Sequence, residues 1–243
     1  MMKEIKSVHF EKKYFEEIDH ISEDSNYFTP ILHVLHQHID VKSAKVLDVG
    51  CGTGLFFKPL VSAGCSELYG VDGSHGFIDR AVKRGYKQVI VIPDLNINSL
   101  PFNDKEFDLI VCKDVFEHLL NPKHVLAEIC RVVKDGGLVL IHVPNHFPLE
   151  GRIKFLITNN IDTFKYFNSE GRWDFPHIRF FEYRDLLKVI EENGLCLVND
   201  LSHHFLAIPW FSKIKIFMPF YRYMVERYPN EFTSGFTFLL RRV

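Results

Sequence analysis

Short apolar runs alternate with amphipathic stretches along most of the chain. Lys45–Val49, Leu68–Val71, Gln88–Ile92, Phe107–Cys112 and Leu138–Val143 are rich in β-branched residues and nearly continuous in apolar ones. That is the pattern of strands buried on both faces of a parallel sheet. Between them, Leu55–Ala63, Ser74–Arg84 and Val125–Val133 repeat apolar positions at helical spacing, and Asn121-Pro122 supplies a helix start. Arg184–Glu192 predicts a further amphipathic helix closed by Asn193-Gly194, and Cys196–Leu201 and Phe236–Arg241 read as two more strands. Strict alternation of strand and helix predicts a doubly wound α/β fold.

Three stretches stand outside this alternation. Residues 1–42 read as N-terminal helices, in which Ile31, Leu35 and Ile39 make an apolar stripe and His33, His36 and His38 lie away from it, on what reads as a solvated face. Residues 144–180 and 202–235 are long, aromatic and rich in Pro and Asn, as functional lids or packed caps are.

Composition narrows the picture. With 243 residues and 47% apolar content the chain can build one sizeable core. Its 29 basic and 31 acidic residues leave a formal charge of −2, so no global field recruits DNA, RNA or an anionic membrane. No apolar run approaches the ~18 residues of a membrane span, and the charged N-terminus does not read as a signal peptide. A cytoplasmic protein, monomeric or homodimeric, is the expectation. The five cysteines show neither CxxC pairs nor zinc-finger spacing and read as reduced thiols.

The segment Val46-Leu47-Asp48-Val49-Gly50-Cys51-Gly52-Thr53-Gly54 is a buried strand running into a glycine-rich turn and then a helix. Such a turn lets the backbone approach a nucleotide-type cofactor without Cβ interference. A dinucleotide fingerprint would be GxGxxG, but here the third glycine comes one residue early and Leu55 occupies its place. Asp48, two residues before Gly50, would repel a pyrophosphate and attract an ammonium or sulfonium. Both features oppose a nicotinamide-dependent oxidoreductase, which stands as the lesser alternative.

DVGCGTG resembles motif I, DxGxGxG, of the class I S-adenosylmethionine-dependent methyltransferases. The resemblance runs over about residues 44 to 145 and includes Asp72 at the end of the second strand, Asp94-Leu95 after the third, FDLIVCKDVFEHL at the fourth and VKDGGLVLIHVPN at the fifth. It implies a Rossmann-like seven-stranded sheet, mostly parallel with an antiparallel last strand and helices on both faces. It also implies a cofactor site in which Asp48, Gly50, Cys51, Gly52 and Gly54 wrap the methionine and ribose. Asp72 and Gly73 would meet the ribose hydroxyls, Asp94 and Leu95 the adenine, and the Lys113 main chain the methionine end. The expected organisation is one methyltransferase domain over 1–243. It comprises a helical cap (1–42), the cofactor-binding core (43–145), a lid insertion (146–180) and a C-terminal part (181–243) with an aromatic insertion.

Transfer from a sulfonium is an in-line displacement, so alignment and, for a hydroxyl acceptor, proton removal are what an enzyme supplies. Asp114, Glu117 and His118 fall at i, i+3 and i+4, which would place all three on one face of a helix leaving the fourth strand. His118 is the leading candidate base, with Glu117 and His146 beside it as catalytic candidates; the same EHL pattern also serves packing or capping. The DxxEH spacing further resembles the ExxEH of ubiquinone-pathway and small-RNA O-methyltransferases, in which carboxylates and histidine hold a divalent metal. By that resemblance Asp114, Glu117, His118 and His177 are metal candidates, Asp114 being one methylene shorter than the usual Glu. PHIRFFEYRDLLKVIEENG is similar to a segment of bacterial methyltransferases from polysaccharide and other biosynthetic clusters.

The expected reaction is methylation of a hydroxyl on a small metabolite, sugar or lipid-linked intermediate, with S-adenosylhomocysteine as product. A non-catalytic S-adenosylmethionine-binding sensor or subunit is the alternative. Residues 151–180 hold five Lys or Arg against three acids and residues 203–243 hold six against two, which points to an anionic or phosphate-bearing acceptor.

Overall fold

The computed structural model describes residues 29–54, 58–159, 177–204 and 218–243. Several predicted features lie outside these residues: the cap before residue 29, Leu55, most of the lid with Tyr166, Arg172 and Trp173, and the aromatic stretch 205–217 with Trp210, Phe211 and Phe217. The chain divides into two compact units, residues 1–98 and 99–243.

In the first unit, α1 (Thr29–His38) buries Ile31 and Leu35 along the predicted stripe and leaves His33, His36 and His38 exposed. Strands β1 (Lys45–Val49), β2 (Glu67–Asp72) and β3 (Gln88–Val91) are parallel, in the order β3-β2-β1. The crossovers carry α2 (Lys58–Ser62) and α3 (His75–Lys83). Val46, Leu47, Val49, Leu68 and Val71 are wholly buried, which is why β1 reads as an unbroken apolar run. Helix α3 turns Phe77 and Ala81 inward.

The second unit contains β4 (Phe107–Lys113), α4 (Pro122–Val132), β5 (Val133–Pro144), α5 (Leu149–Thr158), α6 (Tyr183–Glu192), β6 (Leu195–Asp200), α7 (Met218–Arg227), α8 (Pro229–Phe232) and β7 (Gly235–Arg242). Its strands run in the order β4-β5-β7-β6, with β4 and β5 parallel and β7 antiparallel to both neighbours. The two units thus supply seven strands, and the last is the antiparallel one. Helix α6 begins one residue before the predicted Arg184 and ends at the predicted Glu192: the Glu182 carboxylate accepts from Asp185 N at 2.9 Å at its start, and Gly194 (φ +80°) follows its end.

Two elements differ from the pattern. Strand β5 begins at Val133, five residues before the predicted start, because Lys134-Asp135-Gly136-Gly137, which reads as a turn, is absorbed as a register shift opposite Phe107 and Leu109. The helical face expected for Asp114, Glu117 and His118 does not form. Asp114 has φ +53°, a single 3-10 turn spans Phe116–His118, and Leu119 is extended. The left-handed Asp114 does not open a right-handed helix, and Pro122 keeps Asn121 non-helical, so the segment stays separate from α4.

Candidate functional site

The glycine turn follows β1. Gly50, Gly52 and Gly54 have φ of +77°, +50° and +77°, values that strain any residue with a Cβ. The Gly50 and Cys51 amides both donate to the Val71 carbonyl, at 2.8 and 3.1 Å, which fastens the turn to the end of β2. Asp72 completes the fastening: its two carboxylate oxygens accept from Gly52 N and Ser74 N, each at 2.8 Å. Burial raises the Asp72 pKa, against the pull of those amides. A Cβ built at Gly52 meets nothing within 4 Å, so this part of the turn presents bare backbone to open space, as a loop approached closely by a ligand does. Asp48 is 3% exposed and accepts from the Tyr86 hydroxyl at 2.6 Å. Gly73 and Leu95 are half-buried. Asp94 sits in the turn after β3, where its carboxylate accepts from the Asn96 amide at 2.8 Å.

A second constellation lies in the other unit. Glu117 has no exposed side-chain surface, and neither carboxylate oxygen has a hydrogen-bond partner. His118 Nε2 and His177 Nε2 lie 4.0 and 3.9 Å from Glu117 Oε1, and the three ligand atoms fall within 4.8 Å of one another. His177 is brought there by the main chain, since the Glu117 carbonyl accepts from both Ile178 N (2.9 Å) and Arg179 N (3.2 Å). His146 Nε2 contacts His177 Nδ1 at 2.7 Å, so His177 keeps Nε2 toward Glu117. Phe180 packs edge-on against His146 and Phe147, with ring centroids 4.9 and 5.3 Å away.

Burial governs the charges in this cluster. It lifts Glu117 to about 8, helped by the nearby Asp114 charge, and lowers His146 to about 4 and His177 to about 3. A buried carboxyl group beside two imidazoles is a donor set suited to a divalent cation.

Asp114 is not a member of that set. Its carboxylate pairs with Lys113, the last residue of β4, and lies 3.3 Å from His142 Nε2. His142 Nδ1 meets Thr237 Oγ1 at 2.7 Å, and burial takes its pKa down to about 4. Burial would raise Asp114, but the Lys113 ammonium and His142 outweigh it and hold the carboxyl below its usual range. The structure therefore gathers Glu117, His118, His146 and His177 and turns Asp114 into a neighbouring network. Two further residues of the glycine turn's surroundings, Arg84 and Tyr86, carry no signal in the sequence motif; only the fold brings them to it.

A glycine turn with acids on β1 and at the end of β2 is the arrangement that the resemblance to the S-adenosylmethionine-dependent methyltransferases implies. Residues 47–141 match the family model of the methyltransferase domain. An uncharacterised protein of Methanocaldococcus jannaschii is 35% identical over 132 residues, 54% of this chain and 59% of that protein. The ubiquinone biosynthesis O-methyltransferase of Coxiella burnetii is 27% identical over 176 residues, 72% of this chain and 73% of that enzyme. Among solved structures, an S-adenosylmethionine-dependent methyltransferase of Thermotoga maritima shares the fold with a TM-score of 0.62 at 17% identity, covering 97% of this chain and 99% of that one. No described helix is long and apolar enough to cross a membrane.

Proposed function

We propose that this methyltransferase acts on a hydroxyl group of a small acceptor, with Glu117, His118 and His177 as the residues that prepare the hydroxyl. The observation that carries this reading is the Glu117 carboxylate, fully buried, without a hydrogen-bond partner and facing two imidazoles. An uncompensated buried charge is strongly unfavourable, so the group either stays protonated or meets a cation. A divalent cation held by Glu117, His118 and His177 would act as a Lewis acid on the acceptor oxygen. His146 holds His177 in place, and Phe180 packs on His146. The name of the Coxiella relative supports an oxygen acceptor.

In this reading the glycine turn and Asp72 hold the cofactor, and displacement at the sulfonium proceeds in line with little further chemical help. Leu120, Phe147, Ile178 and Phe180 are 50 to 68% exposed beside the cluster, which favours an acceptor with an apolar body. Two of the basic residues expected to meet an anionic acceptor are engaged within the protein. Arg179 donates to the carbonyls of Leu119 (2.9 Å) and Leu120, and Arg152 pairs with Glu231 at 3.3 Å.

The test is incubation with methyl-labelled cofactor and fractionated cell metabolites, with and without EDTA. A labelled methyl ether formed only without EDTA supports the cation. Transfer that persists in EDTA leaves His118 as a metal-free base, and binding of the cofactor with no transfer to any fraction points to a sensor.

A further inference from the structure

The turn Arg84-Gly85-Tyr86 between α3 and β3 belongs to no part of the cofactor motif, yet its side chains end on the glycine turn. Arg84 Nη1 donates to the Thr53 carbonyl at 2.6 Å. Tyr86, 3% exposed, donates its hydroxyl to Asp48 Oδ2 at 2.6 Å. Its ring occupies the volume that side chains at two glycines would need: a Cβ at Gly54 would lie 2.8 Å from Tyr86 Cε2, and one at Gly70 would lie 3.0 Å from Cδ1. The turn itself is held by Gly85 at φ +110° and by the Tyr86 amide donating to the Ala81 carbonyl at 3.3 Å.

A phenylalanine would fill the same space without burying a hydroxyl, and burying a polar group is unfavourable unless it is bonded. A buried hydroxyl aimed at a buried carboxylate fixes direction as well as volume. We infer that Tyr86, with Arg84 beside it, is a positioning residue for the cofactor: it sets the height of the glycine turn and the direction of the Asp48 carboxylate without touching the ligand. Asp72 holds Gly52 N, so the turn is gripped at Asp48, Gly52, Thr53 and Gly54 by side chains from two separate segments. The titratable groups facing the Asp48–Tyr86 pair are the Cys51 thiol and the Asp72 carboxylate.

The inference is tested by calorimetric titration of S-adenosylhomocysteine into the full chain, for wild type, Tyr86→Phe, Arg84→Leu and Arg84→Lys. Loss of a hydrogen bond to a carboxylate predicts about tenfold weaker binding or more for Tyr86→Phe. Arg84→Leu should also weaken binding and Arg84→Lys should restore most of it. Tyr86→Phe binding as tightly as wild type would overturn the inference. So would equal affinities for the two Arg84 variants, because packing alone would then explain the losses. If Tyr86→Phe does not fold, the Arg84 pair decides, since equal affinities there overturn the role.

Discussion

The glycine turn and the Glu117 cluster are both polar sites in buried surroundings, but they are finished to different degrees. At the turn, each acid at a strand end has its partners: Asp72 takes two amides and Asp48 takes a hydroxyl. In the cluster, Glu117 is buried without a hydrogen bond, and burial lowers the pKa values of His146 and His177. A site complete on its own can bind its ligand with little rearrangement, and preorganisation of that kind favours affinity. A site left incomplete waits for something to complete it.

The strongest way to break this comparison is at the incomplete site. Glu117→Gln and His118→Ala should each lower methyl transfer by about 10²-fold or more while S-adenosylhomocysteine binds as before; a parallel fall in cofactor affinity would show that the two regions are not functionally separate. At the complete site, Asp72→Ala should weaken the cofactor through bonds of about 1.5–3 kcal/mol each, and it would also orphan the Gly52 and Ser74 amides. Calorimetry giving equal affinities would remove Asp72 from the site.

A smaller effect should appear in the stability of the metal-free chain. His142, His146 and His177 fold with pKa values of about 3 to 4 against an ordinary 6.5, so they take up protons more readily when unfolded, and stability falls as pH drops below about 6.5. Glu117 works in the opposite direction. Folded it keeps its proton to about 8 rather than 4.5, so its contribution is lost as pH rises from about 4.5 to 8, and above about 6.5, where the histidines no longer oppose it, net stability declines by about 1.4 kcal/mol per unit. Denaturant titrations should therefore peak near pH 6.5, and Glu117→Gln should flatten the alkaline side; an unchanged slope would mean that the carboxyl is already ionised. The smallest effect is expected of Arg152→Gln. An exposed pair such as Arg152–Glu231 contributes about 0–1 kcal/mol, and acceptor saturation should not change with salt.

How much of this was legible in the sequence depended on range. The strands could be read because full burial leaves continuous apolar runs, and the glycine turn because its backbone demands a residue type. The Glu117–His177 contact was readable only through resemblance, since 60 residues separate the partners. The helical face drawn through Asp114, Glu117 and His118 failed because the spacing rule assumes a helix, whereas Asp114 is left-handed and only a 3-10 turn spans Phe116–His118. Tyr86 was invisible for another reason: nothing local distinguishes it from a core aromatic, and only the Cβ-free positions at Gly54 and Gly70, read together in space, reveal what its ring supports.

The Glu117 carbonyl, which accepts from Ile178 N and Arg179 N, separates two jobs that one residue performs. Every amino acid carries a main-chain carbonyl, so the tether that delivers His177 survives whatever side chain stands at position 117. Mutation can therefore explore the chemistry there, from carboxylate to amide to alkyl, without releasing the segment that completes the site. A chain could gain or lose the carboxylate at this position in one step while the main-chain architecture around it stayed in place.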